Sequence, residues 1–252
     1  MRLKPDARPV KAMLRRYPPL YEAFLEDHVQ QLLETGLVKM NSDSRWASAP
    51  RVVPKKSTEL RMTADQRAAK ALTDPLVWPM PDLESDLSKV EGSKFYFDAD
   101  VLRCFYQLPL HSMSQEIFTT ISKLGMVTPT RVPMGTSDSV AFCQQTMEPI
   151  VGPLLYKKVL VRLDDVLGFA KSPERLLDVL EAFLQRCEQF GLKLHPRKCH
   201  FFMRKASWCG KVISADGVAH SPEHVQGLVK MASPWTAAGD LQQFLCAVGW
   251  MR

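Results

Sequence analysis

Eighteen prolines are spread through these 252 residues. Proline lacks a backbone N–H and fixes φ, so it ends helices and marks turns. That content argues against an all-helical bundle and for several short elements joined by turns. The basic, proline-bearing segment 1–19 reads as an extended arm. A helix follows from about Pro19, where Tyr21, Phe24, Leu25, Val29, Leu32 and Leu33 form an apolar stripe and Gly36 supplies the C-terminal cap. Val52-Val53 and Leu60-Arg61-Met62 flank a turn-rich stretch and predict a hairpin with a basic tip. Residues 95–102 read as a strand, and Thr136 to Ser139 offer N-caps for a helix through Val140, Cys143, Met147 and Ile150. Two apolar runs around Asp164-Asp165 predict a second hairpin. Ser172-Pro173 starts the clearest helix, with Leu176, Val179, Leu180, Phe183, Cys187 and Phe190 on its buried face and Gly191 at its end. Short strands near 192–194, 201–203 and 207–214 and helices near 222–232 and 237–251 complete a pattern of hairpins mixed with helices, which is α+β.

The charge balance limits the partners. Net charge is +6, and its clusters lie apart: Arg2 to Arg16, Lys55, Lys56 and Arg61, then Lys193, Arg197, Lys198, Arg204 and Lys205. Such clusters suit a groove for phosphates or, by themselves, ordinary solvated faces. None of the six cysteines forms Cys-x-x-Cys, and no apolar stretch follows the basic start, so a reduced intracellular protein without a signal peptide is expected. No apolar run approaches the roughly 20 residues of a membrane helix. The spacing of His195, Cys199, His200 and Cys209 fits no common structural zinc pattern, and His220 and His224 lack a further ligand pair.

The acids are more informative. Aspartate is disfavoured in strands, yet Asp98 and Asp100 lie two apart in a strand-like run. Period-two alternation puts both on one face, with Phe97, Ala99 and Val101 on the other. Asp164 and Asp165 are adjacent between two apolar runs. Like charges this close repel unless a cation neutralises them, and hard oxygen ligands favour Mg2+ or Mn2+. A strand carboxylate facing a hairpin pair is what two-metal phosphoryl transfer needs, although an Asp-Asp pair is also ordinary turn chemistry.

Eight motifs, taken in order, resemble the reverse transcriptase of gypsy-type LTR retrotransposons from about residue 15 onward. They are Arg45-Trp46-Ala47-Ser48-Ala49-Pro50, Leu60 to Arg67, Trp78-Pro79-Met80-Pro81, Phe97 to Leu110, Val132-Pro133-Met134-Gly135, Leu163 to Leu167, Gly191-Leu192-Lys193-Leu194, and Trp208-Cys209-Gly210. The resemblance implies a right-hand polymerase with an antiparallel palm sheet. Residues 1–75 would be arm and fingers, 76–107 palm, 108–138 fingers again, 139–216 palm, and 217–252 a partial thumb or connection. It implies an RNA-directed DNA polymerase extending a primer on an RNA or DNA template with dNTPs.

The roles implied are specific. Asp100, Asp164 and Asp165, with the Val101 carbonyl, would hold two Mg2+ ions, with Mn2+ as a substitute. Lys55 and Arg61 would grip the triphosphate, Phe105 would exclude a ribose 2′-hydroxyl, and Met134 and Gly135 would line the nucleotide pocket. Cys209 and Gly210 would belong to the primer grip. Arg162 replaces the aromatic residue of the family's Y-x-D-D box and would contact the nucleic-acid backbone; Lys70 replaces a usual asparagine. Gly168 weakens its strand. RNase H, protease and integrase parts are absent, and the sequence stops inside an expected helix at Trp250-Met251-Arg252. A piece of a longer polyprotein is therefore expected, acting in the cytoplasm within virus-like particles. The alternative is a catalytically inactive nucleic-acid-binding remnant. No membrane contact is expected; oligomeric and polyprotein partners are left open.

Overall fold

The structure, a computed structural model, describes residues 1–54, 59–231 and 237–250, the side chains of Ser137 and Trp250 excepted. It divides into two units, residues 1–80 with 102–149, and residues 81–101 with 150–252. The α+β reading is matched by helices interleaved with five antiparallel sheets among the described residues.

In the first unit, Pro19 occupies the first turn of the helix Pro19–Glu34, where its missing N–H costs nothing. Leu25, Val29 and Leu32 form its buried face. Gly36 follows at φ +68°, a left-handed conformation that frees the chain to turn. The expected hairpin forms between Pro50–Pro54 and Leu60–Ala64, with Val53 opposite Arg61; its tip, including Lys55, lies outside the described residues. Three strands, Val38–Met40, Gly125–Pro129 and Thr120–Ser122, make a further sheet that sequence patterning did not reveal because each is too short to show a period. Trp46 is buried with Ala69 and Ile117. The supposed arm is partly paired: Arg2–Leu3 forms a strand with Thr73–Asp74, and Lys11 bridges Ala47.

The second unit is built on a four-stranded antiparallel sheet ordered His200–Met203, Phe95–Asp100, Asp165–Ala170, Val159–Arg162. Because cross-strand partners share a face, the register assigns the side chains of the three strands Phe95–Asp100, Asp165–Ala170 and Val159–Arg162. Phe97 pairs with Gly168 and Ala99 with Val166; that face contacts the helix Pro173–Phe190, and the Phe97 and Phe183 rings lie 5.7 Å apart. Ser172 caps the helix through its side chain, which accepts from the Arg175 N–H, and Gly191 ends it at φ +65°. Leu176, Val179, Phe183 and Cys187 are buried as expected, but Phe190 is exposed and its ring carries the Arg186 guanidinium instead. The buried stripe therefore ends at Cys187, one position short of the stripe read from periodicity.

The opposite face carries Tyr96, Leu160, Leu167 and Phe169, packed with Ala206, Trp208 and Ile213. Each large aliphatic or phenylalanine side chain buried there contributes about 1.5–3 kcal/mol. The segment 207–214, expected as one strand, is a tight hairpin: Lys205–Trp208 pairs with Lys211–Ser214, and Trp208 faces Lys211 across Cys209-Gly210. Cys209 at φ +47° and Gly210 at φ +73° form the two left-handed residues that such a turn requires. Residues 192–194 form no strand; Leu194 makes only an isolated bridge to Val101. The strand from Phe95 ends at Asp100 rather than 102. Two helices, Pro222–Val229 and Ala238–Trp250, close the described chain, with Val229, Leu241 and Leu245 exposed. Among the described residues, no helix is long and apolar enough to cross a membrane.

Candidate active site

The second unit gathers the acids. Asp165 lies directly opposite Asp100 on the neighbouring strand, and Arg162 lies opposite Asp165 on the other side. All three belong to one face of the sheet, the face that carries Asp98 as predicted. The Leu163-Asp164 turn joins the two hairpin strands, with Leu163 at φ +60°, an unfavourable conformation for a branched side chain. The Val101 N–H donates to the Asp164 carbonyl over 2.9 Å, which ties this turn to the end of the Asp100 strand. Acids directly opposite each other in a sheet destabilise it. Their persistence in a row is the feature that most needs explanation.

The electrostatics reflect that crowding. Burial pushes the Asp165 carboxyl up to about 6, and the like charges of Asp164 and Asp100 add to it. Since the residue as a whole remains exposed, the like-charge part is the sturdier contribution. A carboxyl raised in the folded state stabilises below its unfolded value, near 4, and loses that contribution as pH rises through its folded value. In metal-free protein, Asp165→Asn should therefore raise the melting temperature at pH 8, by an amount equivalent to about 1 kcal/mol after solvent screening. The difference should vanish by about pH 4. Melting curves at the two pH values check this; equal shifts at both would refute it.

Two cations answer the row differently. The Lys198 ammonium lies 2.9 Å from Asp100 Oδ2, and its hydrogen bond to Asp100 holds the ammonium pKa above its ordinary value. Arg162 instead donates Nη1 to the Pro81 carbonyl at 3.3 Å. Beside the row, the His200 backbone N–H and ring Nδ1 both meet Asp98 Oδ1 at 2.9 Å. Among the described residues, no three His, Cys, Asp or Glu side chains converge as a finished metal cage. The donor chemistry nevertheless suits a hard cation: oxygen ligands only, two of them on facing strands. One of those ligands is held by Lys198 in this arrangement.

The turn Cys209-Gly210 belongs to the same unit. Burial pushes the Cys209 thiol up to about 12, with Asp165 adding and Arg162 opposing, so this sulfur stays protonated and packs rather than reacts.

The remaining predicted residues lie in the first unit. Phe105 is half-buried on the short helix Cys104–Gln107. Met134 lines a small cavity with Met62 and Tyr106. Gly135 has φ +84°, and a Cβ there would press on Thr63 at 3.3 Å, so only glycine fits without strain. Arg61 is exposed on its strand and is one of the charges felt by the Tyr106 hydroxyl. Lys70 is exposed in the helix Arg67–Ala71. Lys55 lies outside the described residues. A cavity of about 570 Å3 in this unit, lined by Leu76, Val77, Leu110 and Phe142 among others, includes none of the predicted residues.

Sequence reasoning missed Lys198 and His200 as neighbours of the acids. Lys198 was visible only as one member of a basic cluster, and nothing in a local pattern tells which lysine meets an aspartate 98 positions away.

A family model described as reverse transcriptase (RNA-dependent DNA polymerase) matches residues 53–218, which include all three acids. The chain belongs to the reverse transcriptase family. Relatives among curated proteins include transposon polyproteins, in keeping with the gypsy-type resemblance. The Pol polyprotein from transposon 297 of Drosophila melanogaster is 30% identical over 94% of this chain and 23% of its own length. That from transposon opus of the same organism is 24% identical over 97% of the chain and 25% of its length. The Tf2-3 polyprotein of Schizosaccharomyces pombe is 24% identical over 95% of the chain and 18% of its length. This reverse transcriptase chain thus spans a quarter or less of the length of the curated relatives named here. Among solved structures, the foamy viral protease-reverse transcriptase in complex with dsDNA superposes with a TM-score of 0.87 at 19% identity, covering 99% of this chain and 51% of that one. The same protein with an RNA/DNA hybrid gives 0.86 at 19% identity, covering 98% and 33%. At that identity the likeness concerns the fold, the right-hand polymerase with its antiparallel palm sheet.

Proposed function

We propose that this chain is the polymerase part of a retrotransposon polyprotein, an RNA-directed DNA polymerase that adds dNTPs to a primer 3′ end on an RNA or DNA template. The observation that carries the reading is the pair Asp100 and Asp165, directly opposite on adjacent strands, with Asp164 in the turn beside them. Two like charges in that register are costly to folding and are useful only to a cation.

Asp100, Asp164 and Asp165, with the Val101 carbonyl, would hold two magnesium ions, or manganese in their place. Such ions supply activation of a 3′-hydroxyl and charge neutralisation at a leaving pyrophosphate. The protein's own part is positioning. The Val101–Asp164 hydrogen bond fixes the turn to the strand end, so the carboxylates are held rather than recruited, which is where phosphoryl transfer gains most. In this reading residues 1–75 and 108–138 are arm and fingers, 76–107 and 139–216 palm, and 217–252 a partial thumb or connection. Arg61 and Lys55 would meet the triphosphate, Arg61 with a guanidinium suited to phosphate oxygens. Met134 and Gly135 would line the nucleotide pocket, and the Phe105 ring would crowd a ribose 2′-hydroxyl. Arg162 and the Cys209-Gly210 turn would border the primer strand. Action in the cytoplasm, within the particles of such elements, is part of the same proposal.

Primer–template binding tests the non-chemical half. With a net charge of +6, affinity for a primer–template duplex should fall at least about tenfold between roughly 50 and 200 mM salt, as phosphate contacts release counter-ions. Fluorescence anisotropy at several salt concentrations reads the slope; a flat profile would remove nucleic acid as the partner. Steep salt dependence without primer extension would favour the inactive remnant.

A further inference from the structure

We propose that Lys198 is the resident counter-ion of Asp100, occupying the carboxylate in the metal-free protein and surrendering it when a divalent cation binds. The inference rests on the reading of Asp100 as a metal ligand.

Three observations converge on it. The ammonium is delivered by backbone stitching rather than by chance. Leu194 bridges Val101, the His195 N–H donates to the Asp100 carbonyl at 2.8 Å, the Lys198 N–H donates to the His195 carbonyl at 3.0 Å, and the His200 N–H donates to Asp98 Oδ1 at 2.9 Å. The segment 194–200 is thereby tied along the edge of the acid-bearing strand, with Lys198 facing its end. The second observation is the contrast with Arg162, which lies in the same row as the acids yet gives its Nη1 to Pro81. The third is the difference in exposure between the two partners. The Lys198 side chain is 58% exposed, whereas that of Asp100 is 19% exposed.

The physical consequence is an exchange. A lysine ammonium on a flexible four-carbon stem can leave for water at little cost, since an ion pair with one exposed partner is weak. The carboxylate stays where the strand holds it. Without the ammonium, Asp100 and Asp165 would face each other uncompensated across the sheet. With it, the metal-free sheet is relieved, and an entering cation must displace one positive charge. Lys198 therefore sets the metal affinity by competition and is a positioning residue, acting through Asp100.

The experiment uses the full chain and Mn2+ alone, with binding read from water-proton relaxation and no nucleotide or primer present. Lys198→Gln should bind Mn2+ about fivefold tighter than wild type, the factor corresponding to the ~1 kcal/mol between two unit charges about 4 Å apart under full water screening. Lys198→Arg, which keeps the charge, should bind like wild type. In an Asp100→Asn background, Lys198→Gln should change nothing. Equal or weaker Mn2+ binding by Lys198→Gln, with the wild type clearly binding, would overturn the competition and leave the metal site standing. Mn2+ bound by neither protein would overturn the metal-site reading and this inference with it.

Discussion

Replacing Asp164 and Asp165 together by asparagine should reduce primer extension on poly-rA with dTTP and Mg2+ by at least about a thousandfold, a loss of roughly 4 kcal/mol of transition-state stabilisation. Asparagine keeps the shape of each side chain but supplies a weak neutral oxygen in place of a charged ligand. The variant should stay folded. Removing charge from a face where Asp165 already sits opposite Asp100 relieves repulsion, so at pH 8 the metal-free variant should melt no lower than wild type. Lost activity with equal or greater stability would mark these acids as kept for chemistry. Extension that survives the double substitution would dissociate the acids from polymerisation. A wild type that binds primer–template in a salt-sensitive way but extends nothing would leave the binding remnant as the function of this chain.

Gly168→Ala should destabilise the second unit by about 3 kcal/mol, the upper part of the usual overpacking range. Sequence patterning reads Gly168 as a weak point in its strand, and the structure reverses that reading. Gly168 pairs with Phe97, and a Cβ at 168 would fall within the Phe97 ring. The ring has nowhere to retreat: it is fully buried and lies against Phe183 at 5.7 Å. The glycine is thus the space that lets the Phe97 ring lie against the neighbouring strand, on the face of the sheet opposite to Asp98 and Asp100. A melt of the alanine variant should fall by several degrees. The Phe97→Leu background should absorb much of the loss, giving a coupling of opposite sign to the two single costs. An unchanged melting temperature for Gly168→Ala would refute the close approach.

Patterning succeeded where the information is local. The helix beginning at Pro173 is marked by its capping serine, by proline at the first turn and by glycine at the end, and all three lie within twenty residues. The hairpin around Asp164 and Asp165 is marked by two apolar runs too short for helices. It failed where a local cue had two meanings. Trp208-Cys209-Gly210 lies in an otherwise strand-like run, and only the pairing of Trp208 with Lys211 shows that the chain reverses there. Phe190 keeps helical period with the buried stripe, yet its ring is exposed and carries the Arg186 guanidinium.

The sequence by itself determined that Asp98 and Asp100 share a face, that Asp164 and Asp165 lie in a hairpin between two apolar runs, and that the motif order is that of a reverse transcriptase, because alternation, turn chemistry and spacing are properties of neighbouring residues. The tertiary structure alone decided that Asp165 stands opposite Asp100, that Lys198 and not Arg162 neutralises that acid, and that Gly168 makes room for Phe97. Each of these depends on strand register between segments tens of residues apart, and a slip of one residue would turn every side chain to the other face. Register is fixed by burying both faces of the sheet at once, a condition that no single segment carries.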